Sequence, residues 1–221
     1  MSQNFINGAK YAFSTALAAP VPIDSITNGN PAVAMANVIP PEDSIVVLQS
    51  NWTELNEQAT YVTNADADSF ELARLDTTNT GLFPVGESKG NYRLATGFVS
   101  LSQIRDIAQS GGDTNTFTWG YIDDSSPRQR SRPTDQNPLV LTFTLDYDPE
   151  LPWAHALELV SKTRQPVVMR ERLPTGDTLL YTGFMSYQKS PSRVRNENMT
   201  VTATMSINSE VLRFPAAFFG P

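Results

Sequence analysis

The chain has 221 residues, with 23 acidic against 16 basic side chains for a net charge of −7, one histidine and no cysteine. The missing cysteine excludes disulfides, thiol catalysis, iron–sulfur clusters and cysteine-ligated zinc. A single histidine excludes a histidine-rich metal site, and the acidic balance argues against a sequence-reading DNA binder, which normally carries a basic face.

An apolar content of 40% over this length is enough for one generous domain spanning residues 1–221. In chain order, Tyr11, Phe13, Thr15 and Leu17 alternate with smaller residues and read as a first strand. The same stretch resembles a short signal-peptide core, but no charged start precedes it and the strand is the expectation. No run reaches the ~18 apolar residues of a membrane span. Further short strands are expected at 32–36, 45–49, 58–63, 70–75 and 93–100. Prolines at 20, 22, 31, 40, 41 and 84 punctuate them, which suits loops, edge strands and a Pro-rich N-terminal arm. Residues 1–100 hold ten acids and four bases, so the negative charge belongs almost wholly to this half.

After Gly111 and Gly112 come Phe117, Trp119 and Tyr121 in alternation, then residues 123–138, whose only apolar members are prolines. So long a polar stretch inside a compact domain is expected to be a functional loop reaching a partner. Residues 139–145 and 201–207 alternate apolar and threonine-rich positions, the pattern of strands covering a core on one side only. Between them, Trp153, Ala156, Leu157 and Val160 follow helical spacing over 153–163, with Pro149 and Pro152 in the opening turn and Pro166 beyond the end. Residues 167–172 and 178–187 flank a turn in which Gly176 supplies positive φ. The expected fold is mainly β, a sandwich or barrel with one helix packed against it and long loops.

Chemistry finds little purchase. Asp146, Asp148 and Glu150 alternate at a strand end and offer oxygen ligands for calcium, but without the EF-hand glycine and distal glutamate the expected role is a helix cap by Asp148 and a solvated Asp146. Asp66 with Asp68 and Asp123 with Asp124 are weaker pairs. Gly81 to Lys89 fails as a P-loop, since its lysine does not follow Gly86 directly. There is no nucleophile elbow, and His155 sits on the helix beside core residues. Neither a catalytic residue nor a cofactor or metal site is expected. Arg128, Arg130 and Arg132, with Asp123 and Asp124, are the candidate contact residues in the polar loop.

Several stretches in order carry a resemblance. Pro22-Ile-Asp-Ser-Ile26-Thr-Asn-Gly-Asn-Pro31-Ala-Val33 is followed by Glu42-Asp-Ser-Ile45-Val-Val-Leu48 and Trp52-Thr-Glu-Leu55-Asn56. Then come the polar loop, the strand ending in Asp146-Tyr-Asp148-Pro, the helix, Arg170, the turn Pro174-Thr-Gly-Asp177, the strand Tyr181-Thr-Gly-Phe184-Met-Ser186 and the last threonine-rich strand. Taken together they resemble the tail tube (major tail) proteins of long-tailed phages. Ile39-Pro-Pro41-Glu42 departs from the glycine-containing turn usual at that place.

The resemblance implies a structural virion protein, made in the bacterial cytoplasm, without enzyme activity or membrane insertion. It would form hexameric rings stacked into the tube that conducts genomic DNA, with the tape measure and tail completion proteins as partners. Acidic walls and threonine faces, such as Thr142/Thr144 and Thr200/Thr202/Thr204, suit a conduit that must not trap a polyanion. The alternative is a receptor- or carbohydrate-binding β-sandwich using Trp52, Trp119 and Tyr121 as an exposed platform. A hydrolase with paired carboxylates lacks a converging site.

Overall fold

The computed structural model describes residues 6–86, 88–123 and 129–219. Its strands are β1 (Lys10–Leu17), β2 (Val21–Ile23), β3 (Ser25–Ile26), β4 (Ala32–Met35), β5 (Ile45–Ser50), β6 (Ala59–Thr63), β7 (Ser69–Leu72), β8 (Gly90–Leu101), β9 (Ile104–Ser110), β10 (Thr114–Trp119), β11 (Arg130–Gln136) and β12 (Leu139–Asp146). Helix α1 (Pro152–Thr163) follows, then β13 (Val167–Arg172), β14 (Thr178–Gln188), β15 (Thr200–Ile207) and β16 (Leu212–Phe214). All but β10 and β11 belong to one curled antiparallel sheet in the order β3-β4-β7-β6-β5-β8-β1-β13-β14-β15-β12-β9, with β2 beside β8 and β16 beside β14. The protein is mainly β, as its alternating patterns predict.

The sheet curls because β8 serves both halves. Its residues 90–94 pair with β5, and 95–101 pair with β1. Gly97 lies within the second stretch, at φ +66, with its carbonyl accepting from Thr15 Oγ1 at 3.0 Å. A Cβ there would meet that hydroxyl, so only glycine allows the close approach. Two cores result. One gathers Val46, Leu48, Trp52, Phe70, Leu72 and Phe214 from the first half and from β16. The other gathers Phe13, Phe143, Leu145, Met169, Ala203 and Met205 under Trp153, Leu157 and Val160 of α1. Each fully buried aliphatic or aromatic side chain contributes roughly 1.5–3 kcal/mol. Around the prolines at 22 and 31, Ile23, Ile26, Ala32 and Ala34 are buried in the first core.

Helix α1 begins with Pro152 at its first turn and ends at Arg164, which takes a left-handed conformation and donates its N–H to Val160. The expected Asp148 cap does not form. Leu151 occupies the cap position, and Asp148 accepts from the Glu150 N–H at 3.3 Å instead. His155 faces out from the helix.

Strand β9 was not foreseen, and its geometry explains why. A register shift between Thr144 and Leu145 pairs Ile107 with Phe143 but Ile104 with Leu145. This bulge turns two isoleucines three residues apart toward the same core, which breaks the period of two on which strand recognition depends.

Candidate assembly surfaces

Within the polar stretch expected to be a functional loop, Arg130–Gln136 is a strand. Strand β11 pairs with β10 in a two-stranded sheet that stands apart from the main one. Gly111 and Gly112 launch this arm at φ +78 and +79, and a Cβ on Gly111 would collide with the Pro138 carbonyl. Its base is tied by Gly112 N–H to Asn137 carbonyl (3.1 Å), Asn137 N–H to Asp113 carbonyl (2.9 Å) and Gln136 Nε2 to Gly112 carbonyl (2.9 Å).

The register sets Arg132 opposite Phe117 and Arg130 opposite Trp119. Directly opposed residues share a face, so the two sequence alternations, aromatic and cationic, merge on one side of the arm. Phe117 stacks on Trp119 at 6.0 Å, and the Arg130 guanidinium lies 5.3 Å over the Tyr121 ring. Phe117 and Tyr121 stay 61% and 58% exposed, and every residue of β11 is exposed. A two-stranded hairpin is marginal by itself, and an exposed apolar patch of this kind marks an interaction surface. Of the expected contact residues, Arg130 and Arg132 share this face and Asp123 lies in the exposed turn beyond it. Arg128 and Asp124 fall outside the described residues. The one signal for β11 in the sequence is the alternation of Arg130 and Arg132, which marks no apolar face.

The platform of three exposed aromatics does not form. Trp52 is 2% exposed, edge-on to Phe83 at 5.4 Å, with Nε1 donating to the Pro84 carbonyl at 3.0 Å.

A second surface lies on the main sheet, opposite α1. Register aligns Ala108, Thr142, Thr204 and Ser186 across β9, β12, β15 and β14. The neighbouring rows are Asp106, Thr144, Thr202, Gln188 and Ser110, Val140, Ser206, Phe184. Among these three rows Asp106 alone is charged. Asp146, at the strand end, is ion-paired with Arg105.

Beneath β1, β13 and β14 sits a carboxylate of another kind. Glu171 is 9% exposed and accepts from Tyr11 OH at 2.8 Å and Tyr181 OH at 3.3 Å. Burial pushes its carboxyl above the usual glutamate range, while the two hydroxyls pull the other way. Tyr11 and Tyr181 are themselves buried, at 4% and 1% exposed, so the triad is core architecture.

A model of the phage tail tube protein family matches residues 50–216, which include the arm, the hydroxyl-rich face and the helix. The chain belongs to this family. As a phage tail tube protein it is a structural component of the virion tail, and the family implies self-assembly into a tube. The match leaves residues 1–49 outside, among them the Pro22 to Val33 stretch. No curated protein matches the chain. No described helix is long and apolar enough to cross a membrane.

Proposed function

We propose that this tail tube protein forms hexameric rings that stack into the conduit for genomic DNA, with the face of β9, β12, β15 and β14 lining the bore. The observation that carries this reading is the run of aligned hydroxyl side chains with one carboxylate and no lysine or arginine in its three rows. Such a wall hydrates itself and offers no phosphate contact whose counterion release would hold the DNA. The tape measure protein would occupy the bore before ejection, and tail completion proteins would cap the stack.

The arm supplies the contact between copies. Its aromatic and arginine side packs on a neighbouring copy, and Arg130 and Arg132 meet acidic residues there, which sets registry more than affinity. Asp123 takes part from the exposed turn after β10.

The test is negative-stain microscopy of the purified protein beside a variant in which residues 114–136 are replaced by a short Gly-Ser link. Wild type is expected to form hollow tubes. The variant is expected to keep its far-UV circular dichroism and helix signal but to stay unpolymerised. Tubes of normal length from the variant would remove the arm's role. A stable wild-type monomer that binds glycans would favour the receptor-binding alternative.

A further inference from the structure

A stack needs a bottom that fits a top, and the two ends of the hydroxyl-rich face differ in a complementary way. At one end, the connection from β14 to β15 is closed by Ser192 and Thr200: Ser192 N–H donates to the Thr200 carbonyl at 2.9 Å and Thr200 N–H to Ser192 Oγ at 3.0 Å. Beyond that clasp a turn closes with Glu197 N–H on the Val194 carbonyl and Asn196 at φ +65. It presents Arg193, Val194 and Arg195 to solvent, Val194 being 55% exposed. Neither arginine makes an ion pair or hydrogen bond with a described residue, whereas Lys189 nearby is held by Glu158.

At the other end, a groove of about 510 Å³ separates the base of the arm from residues 207–211. Glu54 and Glu210 stand on its rim, Leu139, Ile207 and Val211 form its apolar wall, and no lysine or arginine lines it. Strand β15 connects the two places: it leaves the Arg-Val-Arg tip at Thr200 and reaches the groove at Ile207. Its eight residues set them roughly 25 Å apart at the usual strand rise.

We propose that the tip of one copy docks in the groove of a second copy, Val194 against the apolar wall and Arg193 and Arg195 against Glu54 and Glu210. This rests on the tube reading and names the residues by which one ring sits on the next. The contact is heterologous: with its two halves at opposite ends of the same strands, each copy offers its tip to one neighbour and its groove to another, as a stack requires. The charges, two exposed cations against two carboxylates, reject the inverted approach of tip to tip or groove to groove.

The chain has no cysteine, so a disulfide reports the contact cleanly. In the full-length V194C/V211C variant, mild oxidation is expected to give a ladder of linked oligomers on a non-reducing gel. V194C alone and V211C alone are expected to give none. An intrachain bond is ruled out, since bridged Cα atoms lie within about 7 Å of each other. R193E/R195E is expected to lower sedimentable polymer about tenfold, and adding E54K/E210K to the same chain to restore it to within about twofold. Wild-type tubes with no ladder from the double-cysteine variant overturn this contact alone. A charge-reversed variant that polymerises normally, or one that the compensating pair does not rescue, overturns it too. If wild type forms no tubes, the tube reading falls and this contact with it.

Discussion

Trp52→Ala is expected to lower the unfolding free energy by about 3–5 kcal/mol, the range for removing a large aromatic side chain from a core. The indole fills the first core beside Leu48 and Leu55, meets the edge of Phe83, and donates from Nε1 to the Pro84 carbonyl. Alanine leaves a cavity and strips that carbonyl of its donor. The segment 76–86 is pinned by the same neighbourhood: Thr77 Oγ1 donates to the Thr27 carbonyl at 2.7 Å, and Asn28 Nδ2 to the carbonyls of Thr77 and Phe83, each at 2.9 Å. Equilibrium urea unfolding checks the prediction. Trp52→Phe is expected to cost clearly less, because it keeps most of the packing and loses chiefly the hydrogen bond. A change below about 1 kcal/mol in Trp52→Ala would show that Trp52 is a surface residue after all.

The second large effect concerns Glu171. Because burial raises its carboxyl pKa in the folded state, the folded protein holds this proton more tightly than the unfolded chain does. Its contribution to stability is therefore fully present below the ordinary glutamate value of about 4.3 and is lost as pH rises through the folded value. Glu171→Gln removes that dependence while still accepting from one tyrosine hydroxyl and donating to the other. Its stability relative to wild type is expected to improve from acid to neutral pH. Tyr11→Phe works in the opposite sense: it deprives a buried carboxylate of its shorter hydrogen bond and is expected to cost about 1.5–3 kcal/mol at neutral pH, and less in acid. Urea midpoints at acid and neutral pH for the three proteins measure this. Parallel pH curves for wild type and Glu171→Gln would remove Glu171 as a titrating core group. Glu158 runs the other way, held down to about 2 by hydrogen bonds and charge from Lys162 and Lys189. It is intact in both proteins, so the comparison isolates Glu171.

Where each element buries one clean face, its residues announce it. Strand β15 sends Val201, Ala203, Met205 and Ile207 inward and threonines outward, and that is visible as alternation. Helix α1 does the same at a spacing of three and four. The turn at Gly176 follows from a backbone angle that glycine alone adopts at no cost. The tail tube resemblance also came from ordered soft motifs, and the family match extends over most of them.

Strand β11 is different. No side of Arg130-Ser-Arg-Pro-Thr-Asp-Gln136 touches the core, so nothing in its composition distinguishes a strand from a loop. Its order comes from pairing with β10 and from the ties at the arm's base. Trp52 misled for the reverse reason: it sits among polar neighbours before a short 3-10 turn, Thr53–Leu55, and enters the core without any periodic signal.

By itself, the sequence determined the mainly β class, the one helix, the absence of thiol chemistry and the threonine-rich faces, because each depends on residue type and near neighbours. The tertiary structure decided what long-range register controls: that Thr142, Thr204 and Ser186 form one continuous surface, that Phe117 and Arg132 share a side of the arm, and that the Arg-Val-Arg tip and the Glu54–Glu210 groove stand at opposite ends of one sheet. The −7 of the whole chain says nothing of such placement, since charge is a sum and docking depends on where its parts are held.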